Sequence, residues 1–419
     1  MATLFVMLSL YFHDFYKVPL LVIFIVASAY GLCLLTGRTV NERIRVFSGG
    51  AADSNLLLMV WIFVLAGAFA ASAKAMGAVD ATVQFTLSLV PANMLPVGIF
   101  IASCFVSLSI GTSVGTVVAI VPVAAGLAQS AGMSVPLLTA ACVGGAFFGD
   151  NLSFISDTTV VATRTQGCLM RDKFKVNLWL ALPAAIISIA IYVALGTGTA
   201  QELQSESTQL WKIIPYLFVI IAALSGMNVM LVLSLGILLT GITGWATGSF
   251  ALDGWLTSIS EGIGQMGELI LISMLAGGLL AIVRQLGGID WLLQILTRRV
   301  SQRRGAEYCI AALVSVTNLC TANNTVAILT VGEMARNIAR RFGVDPRKSA
   351  SILDTFSCCV QGCLPYGAQL LMASGLAGIS PTAIMPWLIY PALLGGVSLV
   401  AIFLNFPRLK PTTANHNAG

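Results

Sequence analysis

The feature that most constrains this chain is the length of the stretches that carry no charge. No Asp, Glu, Lys, Arg or His occurs in 18–37, 54–73, 81–149, 176–200, 213–252, 269–283, 308–332 or 355–407. A charged side chain at the centre of a bilayer costs at least ~2.5 kcal/mol, and an apolar helical crossing needs about 20 residues. These runs therefore read as membrane spans. Composition agrees, because 57% of the 419 residues are hydrophobic and 9% are charged, against roughly a quarter charged in soluble domains. The expected fold is an all-α, polytopic integral membrane protein of about ten crossings.

The same arithmetic removes several kinds of function. The net charge of +5 comes from scattered Lys and Arg, without the concentrated basic surface of a nucleic-acid partner. His13 and His416 are the only histidines, so His-based catalysis has almost no material, and no enzymatic activity or cofactor is expected. The nine cysteines form no CxxC pair, which argues against a disulfide frame or a zinc site. Residues 1–12 lack a basic start and a small-residue cleavage site, so a removed signal peptide is not expected.

Positive charge assigns the sides of the membrane. Arg38, Arg43 and Arg45 mark cytoplasmic connections, as do Arg164, Arg171, Lys173 and Lys175. So do the basic residues of 298–304, those of 336–348, and Arg408 with Lys410. The connections at 77–96, 127–136, 196–210, 244–262 and 379–386 hold no Lys or Arg and are expected outside. Both termini, including the tail 408–419, are expected in the cytoplasm.

The chain also repeats itself. Met76-Gly77-Ala78-Val79-Asp80 matches Leu286-Gly287-Gly288-Ile289-Asp290 at an offset of 210 residues, which also pairs Leu65-Ala66-Gly67 with Leu275-Ala276-Gly277, Lys74 with Arg284 and Pro136 with Pro346. Trp179 to Ala184 matches Trp387 to Ala392 at an offset of 208. Connections that pair by sequence fall on opposite sides by charge: 127–136 is uncharged, whereas its mate 336–348 holds five basic residues. Two inverted-topology repeats follow, the first at 1–209 and the second at 210–407.

Each repeat should hold a re-entrant hairpin and a broken helix. The first hairpin turns near 107–116, through Gly111-Thr112-Ser113-Val114-Gly115-Thr116, and the first broken helix covers 137–164 with its break at 149–159. In the second repeat the tip lies near 317–325 and the broken helix covers 349–378, interrupted at 361–369. Irregular backbone at membrane depth must be enclosed by protein or line a cavity, so the four breaks predict one enclosed site.

Chemistry concentrates there. Asp150 and Asp157 lie in the only break with carboxylates, among Asn151, Ser153, Ser156, Thr158 and Thr159, with Thr112, Ser113 and Thr116 across the hairpin. Hard cations prefer such oxygen ligands, which makes Na+ the natural metal ion. Protons compete for the same carboxylates. The bland alternative for Asp157 is a helix N-cap. In the second repeat Asn318, Asn323, Asn324, Gln361, Tyr366 and Gln369 form a candidate substrate or second-ion group. Asp354 reads either as a member of it or as a salt-bridge partner of Arg347 or Lys348. Glu333 reads as a surface partner of Arg336 or Arg340, and Lys74 and Arg284 as snorkelling span-end residues.

These residues resemble the NhaC-type Na+/H+ antiporter family of the ion transporter superfamily. The resemblance is carried by 111–116, by Gly149 to Thr159, by Thr163-Arg164-Thr165-Gln166-Gly167 and by Pro365-Tyr366-Gly367-Ala368-Gln369. It implies a secondary transporter of the bacterial inner membrane that works by alternating access with a moving transport domain, and it is compatible with a homodimer. The leading expectation is Na+/H+ exchange at Asp150 and Asp157, with the bilayer and small cations as partners. The alternative is Na+- or H+-coupled transport of an amino acid or small organic acid. A channel or a non-transporting scaffold would instead give no saturable coupled flux.

Overall fold

The computed structural model describes residues 20–154, 156–196, 210–225, 227–297, 302–407 and 409. Residues 2–12, both histidines, Arg298, Arg299 and nearly all of the tail lie outside them.

Every regular element among the described residues is helical. Residues 20–196 contribute α1 (Leu20–Leu34), α2 (Val40–Ala51), α3 (Ser54–Met76), α4 (Ala78–Leu89), α5 (Leu95–Ile110), α6 (Ser113–Ser130), α7 (Val135–Leu152), α8 (Asp157–Gln166) and α9 (Met170–Gly196). There follow α10 (Ile214–Leu224), α11 (Val229–Ala246), α12 (Leu252–Gln265), α13 (Gly267–Gln285), α14 (Gly288–Thr297), α15 (Arg303–Thr321) and α16 (Asn324–Phe342). The chain closes with α17 (Pro346–Cys363), α18 (Ala368–Ala377), the single turn α19 (Pro381–Ile384) and α20 (Ile389–Phe403). Among the described residues, seven helices are long and apolar enough to cross a membrane, or eight if the pair 346–377 and 381–387, bent by 101°, is one span. Three shorter apolar helices bring the total near the expected ten.

The breaks have local causes. Gly111 ends α5 in the left-handed region at φ 74° and Thr112 is extended, so the chain leaves the helix where glycine makes that conformation inexpensive. The second tip uses Ala322 at φ 50°, a conformation that costs an L-residue about 1–2 kcal/mol. The α7–α8 break spans four residues ending at Ser156, which adopts the extended N-cap conformation of α8. Pro365 and Gly367 occupy the α17–α18 break, and a proline disfavours helix in the residue before it.

Outside the spans, α17 starts on an Asp345 cap whose carboxylate accepts the Arg347 backbone N–H at 2.8 Å and its guanidinium at 2.7 Å. Burial pushes the Asp345 carboxyl up, but the hydrogen bonds from Arg347 outweigh it and hold the group below its ordinary range.

Packing between the halves is reciprocal. Helix α3 packs on α12 while α2 packs on α13, and α18 packs on α6 while α8 packs on α16. Small residues permit the first exchange. A Cβ at Gly67 would lie 2.4 Å from the Gly262 carbonyl oxygen, and one at Gly50 would lie 2.4 Å from that of Gly277. Within the first half, α5 and α6 both pack on α7. Gly145 and Gly149 bring the α7 backbone onto α5, where Ser107 Oγ donates to the Ala146 carbonyl at 2.6 Å. Asp150 is the next residue, so this contact fixes where its carboxylate sits.

A candidate ion site at the paired helix breaks

Ser113 opens α6 just past the first tip, and its hydroxyl donates to Asp150 Oδ2 at 2.9 Å. Ser156, the N-cap of α8, donates to Oδ1 at 2.5 Å, and its oxygen lies 2.9 Å from that of Thr158. From the other half, Gln369 Nε2 donates to Ser113 Oγ at 3.0 Å. Gln361 Nε2 in turn donates to Gln369 Oε1 and to the Ala322 carbonyl, both at 2.9 Å. One buried chain of polar contacts thus joins both tips and both broken helices, with Asp150 as its only carboxylate.

A second buried cluster lies alongside. Lys173, in the first turn of α9, forms an ion pair with Asp354, and both are fully buried. Asp354 Oδ2 also accepts Asn177 Nδ2 at 2.9 Å and Asn151 Nδ2 at 3.1 Å. The Lys173 ammonium donates further to the Asn151 carbonyl at 2.8 Å and to Thr159 Oγ1 at 2.7 Å. Asp354 is therefore the partner of Lys173, which corrects its expected pairing with Arg347 or Lys348. Lys348 instead pairs with Glu307 at 2.8 Å, and Arg347 with Asp345. The position of Lys173 is itself a correction. Its sequence neighbourhood reads as a solvated cytoplasmic cluster, yet its four-carbon stem carries the ammonium inward to the break.

The remaining expected ligands divide. Asn151 turns to Asp354 and Thr355, Ser153 donates to the Leu108 carbonyl at 3.2 Å, and Thr116 donates to the carbonyl of Thr112, the cap residue of α6. Thr112 is half-buried. Asp157 is exposed in the first turn of α8. Because Ser156 takes the cap, the Asp157 side chain projects from the helix start and stands outside the Asp150 network.

At the second tip, Asn318 Nδ2 donates to the Ser357 carbonyl at 2.8 Å, Asn323 caps α16 through Val326 N–H, and Asn324 Oδ1 accepts the Thr325 N–H. Tyr366 donates to the Leu319 carbonyl at 2.7 Å and stacks edge-on against Phe24. Among the described residues, Asn318 Oδ1, Asn324 Nδ2 and Gln361 Oε1 are buried without a hydrogen-bond partner. A cavity of about 600 Å³, lined in part by Arg45, Asp53, Arg284, Thr321 and Asn323, reaches this tip. Glu333 is exposed.

Charge balance singles out one group. Among the described residues, the buried charged ones are Asp150, Lys173, Glu307, Lys348 and Asp354. Asp354 has Lys173 and Glu307 has Lys348, whereas the hydrogen bonds to Asp150 come from hydroxyls. A buried carboxylate without a fixed cation must be neutralised by a mobile one.

A polytopic helical protein with two broken helices meeting at such a carboxylate is a secondary active transporter. The chain belongs to the Na+/H+ antiporter family, which matches residues 3–197 and 209–404, and its transported ions are accordingly Na+ and H+. It is 25% identical over 405 residues to the Na+/H+ antiporter NhaC of Alkalihalophilus pseudofirmus, covering 88% of this chain and 86% of that protein. It is 22% identical over 383 residues to the malate-2H+/Na+-lactate antiporter of Bacillus subtilis, covering 81% and 80%. A crystal structure of the YdaH transporter of Alcanivorax borkumensis aligns over 93% of this chain and 99% of that one, with a TM-score of 0.43 and 14% identity.

Proposed function

We propose that Asp150 is where Na+ and H+ compete, and that Ser113, Ser156 and Thr158 supply the neutral oxygens around the ion. The observation that carries this reading is the charge balance of the described buried residues, which leaves Asp150 alone among their three carboxylates without a lysine ion pair. With Na+ bound, the carboxylate and three hydroxyl oxygens form a hard-ligand set. With H+ bound, the carboxyl is neutral and donates into the same hydroxyls. One carboxylate cannot hold both, which makes the two ions alternative cargoes.

Coupling follows from the penalty on the empty form. An ionised, unoccupied Asp150 bears at least ~2.5 kcal/mol for a charge at membrane depth, and each 1.4 kcal/mol is tenfold, so the empty carrier is disfavoured about sixtyfold. Only the loaded forms switch sides readily. We read the halves 1–209 and 210–407 as inverted repeats in a bacterial inner membrane with both termini cytoplasmic. Reciprocal packing of α3 on α12 and of α2 on α13 supports a two-fold relation. The Arg45 and Arg284 cavity is then the cytoplasmic approach to the second tip.

The test is Na+-driven dissipation of an imposed pH gradient in everted vesicles. It is expected in the wild type and lost in Asp150→Asn, and a variant with intact exchange would sink the assignment. A second reading, coupled movement of a small organic acid or amino acid, draws on the unpaired Asn318 Oδ1, Asn324 Nδ2 and Gln361 Oε1 beside an arginine-lined cavity. Na+-dependent uptake of labelled carboxylates into proteoliposomes distinguishes it from ion exchange alone.

A further inference from the structure

We propose that Lys173 is a tethered cation filling an oxygen cage fit for a metal ion, so that a latent second Na+ site lies at Asp354 beside the one at Asp150. The inference rests on Na+ being the transported cation and not on Asp150 being its ligand.

The cage is built from three kinds of oxygen. The ammonium touches the Asp354 carboxylate, the Asn151 backbone carbonyl at 2.8 Å and Thr159 Oγ1 at 2.7 Å. Carboxylate, carbonyl and hydroxyl together are the donor set that hard cations take. The Asn151 carbonyl belongs to the last turn of α7, where carbonyls lose their helical partners and the helix dipole favours positive charge. Asn177 Nδ2 braces the cage by donating to the same carbonyl at 3.1 Å and to Asp354 Oδ2 at 2.9 Å. Lys173, Asn151, Asn177 and Asp354 are each at most 1% exposed.

The lysine arrives from outside the cage's own elements. The carbonyl and hydroxyl come from the two sides of the α7–α8 break, and the carboxylate comes from α17, whereas the ammonium hangs on a flexible stem from the start of α9. Removing the ammonium leaves the framework of oxygens and one negative charge. A mobile Na+ supplies the same charge to the same oxygens, so the lysine sets how many Na+ ions the folded protein takes up.

Na+ titration of the thermal stability of the purified full-length protein tests this, with choline chloride holding the ionic strength. The slope of Tm against the logarithm of Na+ concentration reports how many ions the folded state binds. Lys173→Met should melt lower than wild type at low Na+ and show about twice the wild-type slope. Lys173→Arg, which keeps a tethered cation, should keep the wild-type slope. Lys173→Met combined with Asp354→Asn, which removes the demand for a cation, should lose the added dependence.

A folded Lys173→Met with the wild-type slope overturns the proposal. So does a Lys173→Met that stays unfolded at saturating Na+, whether or not the double variant folds, because the cage then needs the lysine stem rather than its charge. A wild type without a Na+ slope, beside a Lys173→Met that gains one, would remove the Asp150 reading and leave the latent site standing.

Discussion

At the break between α7 and α8 the chain places a carboxylate, Asp150, whereas at the corresponding break between α17 and α18 it places two amides, Gln361 and Gln369. The backbone device is the same in both, an interrupted helix facing a broken tip. Only the side chains differ. Two unpaired carboxylates would require two mobile cations at once, while the amides of the second break stay neutral and donate into the acidic site through Ser113. If the two halves are inverted repeats, as proposed above, their shared backbone plan gives access from either side, and the side-chain differences confine the proposed mobile charge to Asp150.

The sharpest way to break the comparison is to make the first break resemble the second. Asp150→Asn puts an amide where the carboxylate stood, and coupled Na+/H+ exchange in everted vesicles should fall to background. The purified variant should also lose the stabilisation by Na+ that a bound ion confers on the folded wild type. An exchanger that survived the change would mean that another carboxylate carries the ion.

Next in size is Gly149→Ala. The added Cβ would lie 2.3 Å from Ser107 Cβ and 2.4 Å from the Leu108 nitrogen, so α7 must shift away from α5. Overpacking of this kind costs typically 1–3 kcal/mol, readable as a lower Tm. Because the shift also moves Asp150 off Ser113, Na+ affinity should fall along with stability. Wild-type Na+ affinity in a destabilised protein would uncouple the α5–α7 contact from the site.

Gln369→Ala tests the link between the halves. It removes the donor to Ser113 and the acceptor of Gln361, and a net hydrogen bond contributes about 0.5–1.5 kcal/mol. Half-saturating Na+ should therefore rise about twofold to tenfold with the maximal rate little changed. An unaltered Na+ dependence would show that the second break only fills space.

Much of this arrangement was legible in the residues themselves, and the failures have physical causes. Charge-free runs marked the spans, and the glycine at 111 marked the first tip, because both reflect rules that act locally. Asp354 and Lys173 lie far apart in the sequence and meet through the packing of α9 and α17, which no local pattern encodes. Lys173 was misleading for a further reason. Counting basic residues to assign sides treats each one as solvated, and a lysine stem is long enough to defeat that assumption. Glu307 was equally hidden, since it borders a charge-free run yet is fully buried against Lys348.

The last comparison lies within a single break, between Asp150 and Asp157. Both read as ion ligands from their shared surroundings, but α7 continues through Asp150 to Leu152 while α8 begins at Asp157. The first carboxylate is therefore enclosed by neighbouring helices, and the second stands exposed at a helix start. An acidic side chain there interacts favourably with the helix N-terminus by about 0.3–1 kcal/mol. Asp157→Asn should accordingly lower Tm slightly and leave Na+-dependent exchange within about twofold of wild type, since even the full 1 kcal/mol falls on folding rather than on ion binding. Vesicle assays of the two aspartate variants side by side make the check. A loss in Asp157→Asn as complete as that in Asp150→Asn would place the ion between the two carboxylates and require α8 to turn its first residue inward during transport.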